Sequence, residues 1–354
     1  DIVSDINVNT NCTGCPGLNF TNASSGVITK SGGSGASVIG NATNMIFNND
    51  GVVNFNAGTI IFRGQGTHSG TFNIPAGQSL HFEHNNNVTQ NFNNGSSLQG
   101  SGSVQFINGI INFNSGSSYA STLPTMITGA YVFWNMAALT INDFTFTDGR
   151  VHGTAAMTFP GSVIWNGGEW RGDGTATFTN TATVTFNGGG RAIFAGRNII
   201  NNAVITWSSG DLVSANGGTF INNHIIDISD NINVNTNCTG CPGLNFTNAS
   251  TGVITKSGGT GSSVIGNASN MIFNNDGILN INSGNIIFRG NGTHTGLFNI
   301  PAGKSLRFEQ NSGGIQNFNS GSSLQGAGSV VLAAGPVNFN SGSSYASTLP
   351  TMIT

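Results

Sequence analysis

Ionisable residues are scarce in this 354-residue chain, and their densest group is Asp148, Glu169 and Asp173, with Arg150 and Arg171 beside them. Two carboxylates flanking a sugar bond are the equipment of glycan cleavage, one protonating the leaving oxygen while the other attacks or activates water. The neighbouring Trp165 and Trp170 could stack on sugar rings. Together they define a candidate glycan site at Glu169, Trp170, Arg171 and Asp173. Against it, the acids sit in Asn166-Gly167-Gly168-Glu169-Trp170-Arg171-Gly172-Asp173-Gly174, a glycine-rich stretch where turn residues ordinarily face solvent. Tryptophans alternating along strands also more often fill a core than form a platform.

The four cysteines form two copies of one Cys-x-x-Cys, at Cys12/Cys15 and Cys238/Cys241. Without a His or a second Cys pair nearby in sequence, zinc ligation is incomplete, and Pro16-Gly17-Leu18-Asn19-Phe20 does not read as the helix that would lower a thiol pKa. A structural disulfide pinning a turn is the leading reading; an inter-chain bridge, free thiols or a metal are the alternatives. Of six histidines only His68 returns, as His294, whereas His81 becomes Arg307 and His84 becomes Gln310. A catalytic base or metal ligand would be expected to persist between copies. No phosphate loop, Gly-x-Ser-x-Gly elbow, His-Glu-x-x-His or calcium nonapeptide occurs, so no cofactor, metal site or enzymatic activity is expected.

These comparisons rest on a repeat. Ile6-Asn7-Val8-Asn9-Thr10-Asn11-Cys12-Thr13-Gly14-Cys15 returns 226 residues later as Ile232-Asn233-Val234-Asn235-Thr236-Asn237-Cys238-Thr239-Gly240-Cys241. Residues 1–128 align with 227–354 without a gap, at roughly three identical positions in four. The array therefore divides into module A (1–128), module B (129–226) and a second A copy (227–354), and is expected to be a window on a longer array. Near-verbatim repetition of a long block suits a chain whose product is length, surface or valency.

Within a module a shorter unit recurs: Val53-Asn54-Phe55-Asn56-Ala57-Gly58, Phe72-Asn73-Ile74-Pro75-Ala76-Gly77, Asn91-Phe92-Asn93-Asn94-Gly95 and Asn112-Phe113-Asn114-Ser115-Gly116. Each is a short alternating strand ending in a glycine turn, with second strands such as Thr59-Ile60-Ile61-Phe62 between them. This predicts an all-β fold, a right-handed parallel β-solenoid with coils of about 20 residues, apolar side chains inward and Gly and Asn at the bends. Stacked coils bring equivalent Asn side chains to about 4.8 Å, close enough for amide ladders. Such ladders explain how a chain with 6% charged residues and 53 Gly keeps 24 Phe and a 37% hydrophobic share. The stretch Ser117 to Gly129 lacks the pattern and reads as an excursion or module joint, and Glu83 to Thr89 reads as an exposed loop. Alternating Thr in module B, as in Thr175-Ala176-Thr177-Phe178-Thr179, suits solvent-facing strands more than an ice-matching array.

Composition limits partners. A net charge of −3 with singly scattered Lys and Arg offers no footprint for nucleic acid, and no apolar run is long enough to insert in a membrane. Module B carries Trp165-Asn166-Gly167-Gly168-Glu169-Trp170-Arg171-Gly172-Asp173-Gly174 and later Gly196-Arg197-Asn198-Ile199-Ile200-Asn201-Asn202. In these stretches it resembles repeat regions of giant secreted surface adhesin or filament proteins of Bacteroidota. The resemblance implies an extracellular or cell-surface setting and a structural role as the shaft of a filament or adhesin. Self-association into filaments or bundles is expected, with other cells' surfaces or glycans as further partners. The alternative is a glycan-binding or glycan-cleaving solenoid using the module B site.

Overall fold

The computed structural model describes residues 1–9, 17–40, 45–84, 88–238, 240–310 and 313–354. Among them every regular element is a β-strand, most of four residues, so there is no helix long and apolar enough to cross a membrane. The chain falls into two compact units, residues 1–163 and 164–354. Each is a parallel β-solenoid, the expected fold class.

In the first unit the chain visits three faces in turn. Ala36–Ile39, Thr59–Phe62, Ser79–Glu83 and Ser103–Asn108 stack on one; Thr89–Phe92, Ile110–Phe113 and Tyr131–Trp134 on the next; and Val27–Lys30, Val52–Phe55, Thr71–Ile74 and Ser97–Gly100 on the third. The second unit repeats the plan, for example with Thr183–Phe186, Val204–Trp207 and Ile225–Ile228 on one face. Three strands per coil replace the strand pair read from the sequence, because each glycine-marked bend turns the chain through only part of the circuit. The expected units accordingly divide between faces: Val52–Phe55 and Thr71–Ile74 share one, Thr89–Phe92 and Ile110–Phe113 another. Residues one coil apart are typically 21 positions apart, as in Asn91↔Asn112 and Asn201↔Asn222.

Coil length varies mainly at the bends, with one-residue bulges between Phe82 and Glu83 and between Phe308 and Glu309. Asn233 pairs with Val264, a separation of 31, and the added residues include the Cys238–Cys241 loop. The positions where the coil turns sharply demand glycine. Gly100 and Gly326 have φ of 119° and 122°, and a Cβ on either would lie 2.1 Å from the carbonyl oxygen of Ile74 or Ile300 in the coil below.

Alternation drives the packing. Strands read half-buried, buried, half-buried, buried, so every second side chain enters the core. In-register stacking repeats one ring over another, as in Phe92, Phe113 and Trp134, whose successive centroids lie 4.7 and 4.4 Å apart and nearly parallel. Each fully buried aromatic contributes on the order of 2–3 kcal/mol of transfer free energy. The stretch from Ser117 to Gly129 joins the coil after all: Ser118–Tyr119 pairs with Ser97 and Leu98, Thr125–Ile127 pairs with Val104 to Phe106, and Tyr119 packs edge-on against Phe113 and Trp134. Strands of two and three residues were too short for alternation to reveal. The reading of Glu83 to Thr89 as exposed is also corrected in part, since His84 and Val88 are buried; residues 85–87 lie outside the described residues.

Candidate functional site

The candidate glycan site lies at the start of the second unit. Gly168–Trp170 is a short strand in register with Arg191–Ile193, so Glu169 faces out and Trp170 in. Trp170 has no exposed surface, and Trp165, also buried, meets it edge-on at 6.0 Å. The Trp165 indole N–H donates to Gly167 O at 2.9 Å, closing the turn between them. A ring with both faces in the core cannot stack on a sugar. At the surface, Arg171 Nε donates to Glu169 Oε2 at 2.7 Å, and the Arg171 guanidinium lies 4.8 Å from the centre of the Phe194 ring. Asp173 is exposed on the following turn. The structure thus brings Glu169 and Arg171 together as an ion pair and removes Trp170 from reach. Asp148 belongs to the first unit, where its carboxylate accepts the N–H of Gly149 and closes its own turn.

Two further arginines are more deeply engaged. Arg191 is fully buried. Its guanidinium donates to the carbonyls of Trp165, Asn187, Ser209 and Gly210 at 2.5–3.2 Å and lies over the Phe186 and Trp207 rings. Burial pulls its pKa down to about 10, with the Asp211 charge opposing, so it stays cationic at neutral pH. Arg197, likewise buried, donates to Arg171 O from both Nε and an Nη at 3.1 and 2.7 Å. These cations satisfy carbonyls at and beside the bends.

His68 and His294 persist between copies for a structural reason. Each is fully buried against phenylalanines; His68 lies 5.0 Å from Phe72 and 4.8 Å from Phe92. The backbone N–H of Asn49 donates to His68 Nδ1 at 3.2 Å, which leaves the proton on Nε2 to donate to Gln90 Oε1 at 2.6 Å. Gln90 Nε2 in turn donates to Gly64 O at 2.7 Å. The second copy repeats every link through Asn275, His294, Gln316 and Gly290. Burial pushes both imidazoles down to about pKa 4, so both are neutral.

Cys238 and Cys241 are joined in a disulfide with Cα atoms 5.7 Å apart, and Asn270 Nδ2 donates to both their carbonyls, at 3.0 and 2.6 Å. The expected Cys12–Cys15 counterpart lies outside the described residues. Among the described residues no group of three or more His, Cys, Asp or Glu could hold a metal ion. No family model, curated protein or solved structure matches the chain.

Proposed function

We propose that this chain is a length of shaft from a long, repetitive extracellular filament or cell-surface adhesin, non-enzymatic, with function residing in length, stiffness and repeated surface. One observation carries the reading: the buried polar side chains that are identical in the two copies tie one coil to the next. His68/His294, Gln90/Gln316 and Lys30/Lys256 are buried connectors rather than parts of an open pocket. Exchange falls on outward strand positions, as in His81 against Arg307, on bends, and on core-volume swaps such as Phe106 against Leu332. Selection that preserves connectors and tolerates exchange elsewhere suits a mechanical part.

The glycan alternative loses its platform with Trp170 in the core. Secretion, surface attachment and bundling belong to the same proposal and rest on the low charge and the adhesin-like stretches of module B. Electron microscopy of the producing cells, labelled with antibodies to residues 227–354, tests it. Labelled surface fibres with a repeat on the order of 50 Å, about eleven coils at the interstrand spacing, are expected. Label confined to the cell interior would overturn the reading.

A further inference from the structure

Two lysines are fully buried, one in each A copy, and both sit where the coil expects an apolar residue. Lys30 ends its strand in register with Phe55, and Lys256 lies in register between Ile228 and Ile281. Each stem occupies a core rung and each amine emerges beneath the bend. Lys256 Nζ donates to Asp230 O at 3.1 Å, Gly258 O at 2.9 Å and the side-chain Oδ1 of Asn231 at 3.0 Å. Lys30 Nζ donates to Gly32 O at 2.9 Å, Gly33 O at 3.2 Å and Asp5 Oδ1 at 2.8 Å.

The cradle is the same in both copies, but the partner's chemistry is not. In the first copy the amine faces a carboxylate, Asp5, whose hydrogen bond from Lys30 holds its pKa below the usual value and keeps it ionised. An ionised carboxylate resists nucleophiles. In the second copy position 231 is a carboxamide, a neutral electrophile with ammonia as its leaving group. The preceding position changes from Ser4 to Asp230, adding a carboxylate whose charge reaches the Lys256 ammonium. The Lys256 amine is held 3.0 Å from Asn231 Oδ1, the oxygen bonded to the carbon it would attack. The backbone confines the carboxamide, since a Cβ on Gly259 would lie 2.5 Å from Asn231 Oδ1 and one on Gly261 3.0 Å from Nδ2. Fixing a nucleophile against an electrophile in this way turns a bimolecular aminolysis into a unimolecular one.

We infer that Lys256 and Asn231 join in an intramolecular isopeptide bond. The Nζ–Cγ bond forms and the Cγ–Nδ2 bond breaks, and the two protons lost by the Lys256 ammonium end on the departing nitrogen. An ammonium and a carboxamide become a secondary amide and a free ammonium ion, so atoms and charge balance without an external reagent. Burial lowers the Lys256 pKa and eases loss of the first proton. The bond spans 25 positions and encloses the Cys238–Cys241 loop, so it clips the long coil at its base. Lys30 and Asp5 remain an ion pair.

Intact mass of the full chain, measured after thiol reduction, tests the inference. The expected result is a deficit of one ammonia, together with a branched peptide linking the Asn231 and Lys256 segments after proteolysis. Asn231→Ala and Lys256→Ala are each expected to restore the full mass. A wild-type chain at its full sequence mass would overturn the inference, as would ammonia loss without the branched peptide. Loss of water mapped to Lys30 and Asp5 in its place would do the same.

Discussion

At the scale of single residues, the chain's chemistry is turned inward. His68 and His294 show what this does to stability. The unfolded chain protonates its imidazoles near pH 6.5, whereas the folded chain holds them neutral down to about pH 4. The stabilising contribution is therefore complete above pH 6.5 and is lost as pH falls through that window, at about 1.4 kcal/mol per unit and on the order of 3 kcal/mol per histidine. Asp50 and Asp276 oppose the loss through their charge, and His84 adds to it beside His68. Denaturant titrations at pH 7 and 4.5 should show this drop, and the double variant His68→Gln, His294→Gln should flatten it. An unchanged slope in the variant would place the acid sensitivity elsewhere. The sequence showed that His68 recurs but not why, because its partners Asn49 and Gln90 lie 19 and 22 positions away and only the coil length brings them together.

At the scale of the strand, asparagine does two jobs that look identical in sequence. Asn201, Asn222, Asn248 and Asn275 are fully buried, and the Nδ2 of each of the first three donates to the Oδ1 one coil further along, at 2.7–2.8 Å, while Asn275 Nδ2 ends the ladder on Leu297 O at 3.1 Å. The second amide hydrogen goes to a bend carbonyl, as from Asn201 to Ala203 O at 3.0 Å and from Asn222 to His224 O at 3.1 Å. On the outside, Asn73 donates to Asn54 at 2.7 Å and Asn112 to Asn91 at 2.8 Å, in the opposite chain direction and in partial contact with water. Asn222→Leu strands a buried donor on one side and an acceptor on the other, and should cost roughly 2–4 kcal/mol, whereas Asn73→Ala should cost under about 1. Equal costs in chemical denaturation would show that burial does not distinguish the ladders. Amide ladders were foreseeable from the abundance of Asn and the coil period. Which Asn turns inward was not, because that depends on where the bend falls relative to the alternation. Trp170, whose alternation reads as more often core than platform, does turn inward.

At the scale of the whole molecule, few charges face the solvent and the net charge is only −3. Electrostatic repulsion between copies is correspondingly weak, and the outer amide rows offer both donors and acceptors along their length. Sedimentation velocity over a hundredfold concentration range should therefore reveal association. A single monomeric species throughout would count against bundling and leave the shaft reading to stand on its own. The solenoid itself was legible from alternation, glycine spacing and the near-identical block, while the third face needed the structure.

The coil that carries the Cys238–Cys241 loop makes a last point. Asn233 and Val234 still pair with Val264 and Ile265 although 31 residues separate them where 21 are typical. Bends are thus free addresses: what is inserted there is invisible to the ladders on either side. A lineage could exchange one such loop for another, and so alter what the surface presents, without renegotiating a single strand pairing.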